Sequence, residues 1–255
     1  MHRFYVAAED IYQDQDNCGR AVIKGQEFQH LSRVLRLSPG KEVVVFDGVG
    51  KEYVGRVVSL EKGEALVSIA KPSLFARESF LEVWLVQSLS KGAKMNLIIQ
   101  KATELGVRGI IPLKTQHCVA KLEGKKEVER RQKWQKVALE AVKQCRRTLL
   151  PTVLPVCSLE EFLQKLPVKR HLFMPWEQGG SSLRYVLAEE RTSKTARTVP
   201  VYLLIGPEGG FAEEEVKQVQ SYGGIPVSLG PRILRTETAG LAALAVLMFA
   251  WGDWA

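Results

Sequence analysis

From residue 80 onward, the sequence alternates between short apolar runs and longer amphipathic segments, and this alternation limits the possible folds more than any other feature. The apolar runs have the length of buried strands, whereas the segments between them repeat apolar residues every three or four positions, as helices do. The strand-like runs are LEVWLVQSL, GIIPLK, TVLPV, RHLFMP, VPVYLLIG and GIPVSLG. The helix-like segments are MNLIIQKATELG, KEVERRQKWQKVALEAVKQCRR, SLEEFLQKL, SSLRYVLAEE, AEEEVKQVQSYG and a last one from Thr236 to Trp251. Such alternation predicts an α/β fold with helices on both faces of a parallel sheet.

The sequence before residue 73 has a different pattern. Its short apolar or alternating runs are RFYV, AVIKG, KEVVVFDG, KEYVGRVVSL and GEALVSIAKP. Turn residues separate these runs at Pro39-Gly40, Asp47-Gly48 and Lys62-Gly63, which predicts a small β-barrel. One helix, near Glu27 to Leu37, interrupts it. We therefore expect two domains, a β-barrel over residues 1–72 and an α/β domain over residues 73–255.

Composition limits the partners. The chain has 255 residues and a net charge of +8, which favours phosphate-rich polymers or acidic surfaces as partners. Its four cysteines form no Cys-x-x-Cys pair and its histidines form no cluster at ligand spacing, so we expect no metal and a reduced, cytoplasmic compartment. The N-terminus lacks the apolar run of a signal peptide, and the longest apolar stretch, Leu241 to Trp251, is shorter than a membrane span. We expect no membrane partner.

Two glycine-containing loops follow strand-like runs, in LLIGPEGGFAEEEV (203–216) and SLGPRILRTETAG (228–240). Ligands of open parallel sheets bind at the carboxyl ends of strands, so the two loops are predicted to form walls of one pocket. Either loop alone is also typical of a tight turn without a ligand. The first loop contains Glu208, which would repel a pyrophosphate, and the sequence has no phosphate-binding glycine motif. A cationic ligand without phosphate, such as S-adenosylmethionine, fits this loop better.

The second loop is basic where the first is acidic. Arg232 and Arg235 precede the last helix, where they are placed to meet an anion or a developing negative charge. Thr236 is predicted to cap this helix, with Glu237 in its first turn. The small residues that follow, beginning at Ala239, allow close packing against another backbone.

The two motifs GPEGGF and LGPRILRTETA together resemble the RsmE family, the small-subunit (16S) ribosomal RNA uridine N3-methyltransferases of the SPOUT superfamily. The resemblance covers nearly the whole chain, because further segments follow the family's pattern in order: MHRFYV, His30 to Arg36, Asp47-Gly48, Lys101 to Val107, and Gln144 to Arg147 with Pro151. Two positions depart from it. His117 stands where the family often has arginine, and Cys145 where serine is frequent.

The resemblance implies a PUA-like β-barrel that helps to hold RNA, followed by an α/β domain with a deep trefoil knot, an exception to the rule against threaded chains. It implies a homodimer that uses S-adenosylmethionine and acts on ribosomal RNA. The cofactor-binding residues carried over are Leu204, Ile205, Gly206, Gly210, Leu229, Gly230, Ile233, Leu234, Arg235, Thr236 and Ala239. A third wall is expected near Met174-Pro175.

Methylation of uracil N3 needs alignment, a proton acceptor and stabilisation of negative charge on the carbonyl oxygens. Arg235 is the first candidate for charge stabilisation, with Arg232 or Arg147 second. Glu208, Glu237 or water accepts the proton. The target uridine must be unpaired to expose N3.

RNA contacts are predicted in two places. A solvated basic face explains the short front helix equally well, whereas the long basic helix together with the basic loop Lys114 to Lys126 favours an electrostatic contact with RNA. The candidate RNA-binding residues are His30, Arg33 and Arg36, expected on one face of the short helix, and Gln144, Arg146 and Arg147, at the end of the long basic helix. Two other functions remain open at this point. One is a SPOUT-type methyltransferase that acts on a ribose 2′-hydroxyl, and the other is a non-catalytic ribosome-assembly protein that binds RNA.

Overall fold

The computed structural model describes residues 1–13, 19–73, 77–118, 122, 124–191 and 198–254. The chain divides into two compact units. The first comprises Met1–Glu78 and Val142–Leu150, and the second comprises Ser79–Ala141 and Pro151–Ala255. The first unit therefore takes a short segment from the middle of the chain in addition to the N-terminal residues.

The first unit is built on a six-stranded sheet in the order β1-β4-β5-β6-β3-β2. Its strands are β1 (His2–Tyr5), β2 (Ile11–Gln13), β3 (Gly19–Ile23), β4 (Glu42–Phe46), β5 (Glu52–Glu61) and β6 (Glu64–Ser73). β1 pairs with β4 in parallel, and the other neighbours are antiparallel. Lys62 and Gly63 join β5 to β6 with φ angles of 51° and 86°, as a tight hairpin turn requires. The predicted N-terminal β-domain is confirmed, although the sequence pattern did not indicate β2.

The helix of the first unit is shorter than predicted. α1 covers Gly25–Gln29, and a π-helical turn follows over His30–Val34, in which the amide of Leu35 donates to the carbonyl of His30 at 2.9 Å. The chain then leaves the helix, and Arg36 has a φ of 50°. The prediction that Arg36 shares a helix face with His30 and Arg33 is wrong, because the helical segment ends at Val34, before Arg36.

The second unit contains an eight-stranded sheet in which all neighbouring strands are parallel. Its order is β10-β8-β7-β13-β11-β14-β12, and β9 pairs with β8. The strands are β7 (Val83–Ser88), β8 (Gly109–Lys114), β9 (Thr152–Val153), β10 (Cys157–Ser158), β11 (His171–Pro175), β12 (Ser181–Ser182), β13 (Val201–Ile205) and β14 (Ile225–Ser228). The helices are α2 (Lys94–Glu104), α3 (Lys125–Cys145, whose last four residues belong to the first unit), α4 (Leu159–Gln164), α5 (Leu183–Arg191), α6 (Glu213–Ser221) and α7 (Thr236–Ala250).

Helices cover both faces of this sheet, as the alternation of strands and helices predicts. Val86 and Leu204 pack with residues of α4 and α6 on one face. Leu85 and Ile205, which are their neighbours along the strands, lie on the other face, close to Gly240 of α7. Successive strand residues point to opposite faces, so the central strands β7, β8, β11 and β13 are buried on both sides, which explains their continuous apolar runs. Across the described ranges, no helix combines the length and apolar character that a membrane span requires.

Candidate active site

The two glycine loops begin at the carboxyl ends of β13 and β14, and β11 lies between these strands in the sheet. Because the three strands are parallel, their carboxyl ends share one edge. β7 pairs with the other side of β13, so the connection from β7 to α2 leaves the sheet at the same edge. The carboxyl ends of four neighbouring strands, β7, β13, β11 and β14, therefore lie side by side at this edge of the sheet.

A cavity of about 310 Å³ lies at this edge, and a smaller one of about 110 Å³ adjoins it through shared lining residues. The predicted cofactor-binding residues that line the larger cavity are Ile205, Gly206, Gly210, Ile233, Leu234, Arg235, Thr236 and Ala239. Leu229 and Gly230 line the smaller one. Leu204 is instead buried in the hydrophobic core. Pro175, at the end of β11, lines both cavities, at the position where the family resemblance implies a third wall.

Thr236 connects the second loop to the first. Its hydroxyl donates to the carbonyl oxygen of Gly206 at 2.6 Å and accepts from Nε2 of the buried Gln87 at 2.9 Å. The prediction that Thr236 caps α7 is wrong: Arg235 occupies the N-cap position, and Thr236 is the first helical residue. Its hydroxyl is used between elements rather than on its own helix, which fixes the start of α7 against the glycine loop.

Position 210, in the first loop, requires a glycine. Its φ is 71°, a left-handed conformation that is costly for residues with a side chain. A Cβ at this position would also overlap the carboxylate of Glu177, which follows β11 and lines both cavities. The glycine therefore lets an acidic side chain lie directly against the loop.

His117 holds the outer side of the same loop. Its Nδ1 lies 3.1 Å from the carbonyl oxygen of Gly209 and 3.3 Å from that of Gly210. The neighbouring amide of Gln116 donates to Glu215 of α6 at 2.9 Å. The histidine that replaces the family's frequent arginine is thus engaged with the loop backbone.

Charged side chains meet at the cavity wall. Nζ of Lys94 donates to Glu208 at 2.9 Å and lies 3.5 Å from a carboxylate oxygen of Glu237. Burial by itself raises the pKa of Glu208, but the hydrogen bonds from Lys94 and from backbone amides, including that of Lys91, outweigh it and lower this pKa. The hydrogen bond to Glu208 in turn raises the pKa of Lys94. Both groups are therefore ionised at neutral pH.

The three candidate arginines have different surroundings. Arg235 is exposed and lines the larger cavity, whereas Arg232 is exposed and lines the smaller one. Arg147 is only 6 % exposed and forms an ion pair with Glu78 at 2.8 Å within the first unit. A role for Arg147 with RNA or uracil stays a prediction, and it requires this pair to open.

The other predicted RNA-binding residues belong to the first unit. Arg33, Arg36, Gln144 and Arg146 are exposed, and His30 is half-buried and forms a T-shaped ring contact with Phe4. Arg146 follows α3 with a φ of 66°. The chain after α3 is anchored within this unit, because Glu78 accepts hydrogen bonds from the amides of Thr148 and Leu149. Among the described residues, no group of acidic, histidine or cysteine side chains is arranged to hold a metal ion.

Four residues that line the larger cavity were not among the predicted site residues, namely Lys94, Glu177, Pro207 and Phe211. The sequence motifs pointed to the two glycine-containing loops and to a third wall near Met174-Pro175, but not to these side chains. The sequence did contain an indication for Lys94. The SKGAK segment, which includes Lys94, follows the strand-like run at Leu81–Leu89 and therefore begins at the carboxyl end of another predicted strand. The pattern of apolar residues could not show that β7 lies next to β13 in the sheet.

Comparison with known proteins defines the class. Residues 23–70 match the family model of an RNA methyltransferase PUA domain, and residues 77–248 match that of an RNA methyltransferase domain. Ribosomal RNA small subunit methyltransferase E from Bacillus subtilis is 30% identical over 98% of this chain and 96% of its own length. The chain belongs to the ribosomal RNA small subunit methyltransferase E family.

Solved structures agree with this assignment. Ribosomal RNA small subunit methyltransferase E from Neisseria gonorrhoeae, bound to S-adenosyl methionine, is 32% identical, covers 100% of both chains and has a TM-score of 0.85. A methyltransferase from Legionella pneumophila, in complex with the same cofactor, is also 32% identical, covers 98% of both chains and has a TM-score of 0.84. The α/β methyltransferase fold with an N-terminal PUA domain is thereby confirmed.

Proposed function

We propose that this chain transfers a methyl group from S-adenosylmethionine to N3 of a uridine in small-subunit (16S) ribosomal RNA, in the cytoplasm. The observation that carries the proposal is the cavity between the two glycine loops, which is lined by apolar side chains, the backbone of two glycines and carboxylates. Two relatives at 32% identity have S-adenosylmethionine bound. Small-subunit ribosomal RNA is the substrate in the names of the relatives, and the N3 position rests on the family resemblance.

The lining of the cavity suits this methyl donor. A sulfonium and an ammonium group are cations, and Glu177 and Glu208 both line the larger cavity. Ile205, Ile233 and Leu234 supply apolar surface, and Ile233 is 84 % exposed, so a ligand would remove its side chain from water. The glycines allow a ligand to approach the backbone closely.

Different residues are assigned to different steps of the methyl transfer. S-adenosylmethionine supplies a methyl group on a sulfonium, so a carbon–sulfur bond breaks as the bond from uracil N3 to the methyl carbon forms, and the N3 proton is released. Arg235 is assigned to the uracil carbonyl oxygens, where its fixed positive charge stabilises the anion that loss of the proton creates. Glu208, Glu237 or water takes the proton. The walls align the two reactants.

RNA is held by electrostatic attraction from the first unit and from basic residues elsewhere. The net charge of +8 favours a polyanion. We assign phosphate contacts to Arg33, Arg36 and Arg146, which are exposed, and a contact to Gln144. The uridine has to be unpaired, because N3 takes part in Watson–Crick pairing.

A homodimer is part of the proposal, and the surface of the second unit supports it. α7 is apolar on nearly all sides, which is typical of a helix covered by protein all round. Phe249 of this helix is nevertheless 65 % exposed, and Leu97 of α2, which packs on α7, is 45 % exposed. A second copy of the chain would cover these side chains. Sedimentation equilibrium tests this, since the mass of a single chain would contradict it.

The function is tested by nucleoside mapping. Ribosomal RNA from cells with and without the gene is digested, and each methylated nucleoside is identified by mass spectrometry. We expect one N3-methyluridine in the small-subunit RNA to depend on the gene and to be restored by the purified chain with S-adenosylmethionine. A methyl group that leaves with the ribose would support the 2′-hydroxyl reaction instead, and unchanged methylation in both samples would leave a non-catalytic RNA-binding role.

A further inference from the structure

Lys94 has an unusual position for a lysine. It is the first residue of α2, whose first turn contains no acidic residue. The N-terminus of a helix carries partial positive charge, so a lysine there destabilises the helix and an acidic residue would stabilise it. Lys94 therefore does not stabilise α2.

The contacts of Lys94 are with two other elements at the cavity wall. Its Nζ binds Glu208 of the first glycine loop at 2.9 Å and lies 3.5 Å from Glu237 in the first turn of α7. The same carboxylate oxygen of Glu208 accepts from the backbone amide of Lys91 at 3.4 Å. Without the ammonium group, the two carboxylates would face each other uncompensated. The connection from β7 to α2 thus joins the acidic loop to the start of the final helix.

We propose that Lys94 is a positioning residue for the methyl-donor site, because it holds the first glycine loop and the start of α7 at the separation that the ligand requires. The inference rests on the proposed function. It adds a third structural element, the connection between β7 and α2, to the two loops that the motifs identify. Lys94 acts through Glu208 and Glu237 and is not assigned a contact with the reacting atoms.

An ordinary surface ion pair is the alternative. Lys94 and Glu208 are each about one-third exposed, at 32% and 33%, and such pairs contribute little to folding stability. A surface pair of this kind would leave ligand binding unchanged. The two explanations therefore differ in ligand affinity and not in stability.

The experiment measures binding of S-adenosylmethionine and of its demethylated product, S-adenosylhomocysteine, to the full chain by calorimetry. We expect Lys94→Gln to weaken both ligands by about fivefold or more, and Lys94→Arg to restore binding to within about twofold of wild type. Lys101→Gln is the matched control, because Lys101 lies on the same helix and forms a pair with Glu104 at 2.9 Å. This control should bind both ligands as wild type does.

The product distinguishes positioning from a simple charge effect. S-adenosylhomocysteine lacks the sulfonium charge, whereas loss of the Lys94 cation leaves extra negative charge at the site. If Lys94→Gln strengthens binding of the cationic donor and leaves that of the product unchanged, the residue acts only through charge, and the positioning role is refuted. Wild-type affinity of Lys94→Gln for both ligands would refute it as well.

Coupling between residues supplies the second criterion. In a Glu208→Gln background, Lys94→Gln should weaken binding by clearly less than it does alone, because the pair is already broken. Fully additive effects in both the Glu208→Gln and Glu237→Gln backgrounds would overturn the inference, even if Lys94→Gln lowers stability. Failure of the wild-type chain to bind either ligand, alone or with RNA, would instead count against the proposed function.

Discussion

Replacement of Thr236 by valine tests whether the start of α7 is fixed to the first glycine loop by one hydroxyl. Thr236 is 6 % exposed, and its hydroxyl makes hydrogen bonds of 2.6 Å to Gly206 and 2.9 Å from Gln87. Valine has nearly the same shape but makes neither bond. Each lost bond costs about 1 kcal/mol, and more if its partner stays buried and unpaired. Nε2 of Gln87 keeps its bond to the carbonyl of Ser88 at 3.1 Å, so we expect a total loss of about 2 kcal/mol in the free energy of unfolding.

Thr236→Ser is the matched control, because it keeps the hydroxyl and removes only a methyl group, worth about 1 kcal/mol or less. Urea denaturation measures the free energy of unfolding, and calorimetry measures binding of S-adenosylmethionine to the same samples. We expect the valine variant to be the less stable of the two by about 1 kcal/mol and to bind the ligand more weakly, because the loop carbonyl is no longer held. Equal stability and equal affinity of the two variants would refute the role of the hydroxyl.

Three further results are expected. Arg235→Ala should lower methyl transfer about 100-fold while the donor still binds, whereas Arg184→Ala, an exposed change on α5, should not; single-turnover assays of the folded variants decide this. RNA affinity should fall about tenfold between about 50 and 200 mM salt, and a flat titration would contradict the phosphate contacts. The pKa of Glu208 is lowered from its ordinary 4.5, so its pair with Lys94 stabilises the fold above about pH 4.5 and is lost as pH falls through the folded pKa. The melting temperatures of wild type and Glu208→Gln should therefore converge as the pH falls through the folded pKa of Glu208.

The central part of the parallel sheet and its helices were readable from the sequence because β7, β8, β11 and β13 are buried on both faces. The run VPVYLLIG predicts β13, and the observed strand is Val201–Ile205. α3 and α7 likewise begin and end within two residues of the predicted bounds. Long, strongly patterned segments leave little choice of conformation, so local sequence determines them.

Features that depend on neighbours in space were not readable. The π turn at His30–Val34 has an ordinary helical pattern, and only the hydrogen bond from Leu35 reveals it. The hydroxyl of Thr236 was expected to cap its own helix, but Gly206, thirty residues earlier, is the partner that it contacts. Lys94 enters the site because β7 adjoins β13, and strand order is not encoded in the spacing of apolar residues.

The charges at the cavity wall bear on how the proton of uracil N3 is lost. A carboxylate whose pKa is lowered is a weaker base, and Glu208 is such a group because Lys94 binds it. It is therefore poorly suited to remove a weakly acidic proton by itself. A cation beside the uracil oxygens makes removal of the N3 proton easier, because it stabilises the resulting anion and so makes this proton more acidic. Arg235 lines the cavity and carries a guanidinium cation. We infer that proton loss is promoted from the side of the uracil, so that water or Glu237 suffices as the acceptor and Glu208 acts mainly by holding its loop in place.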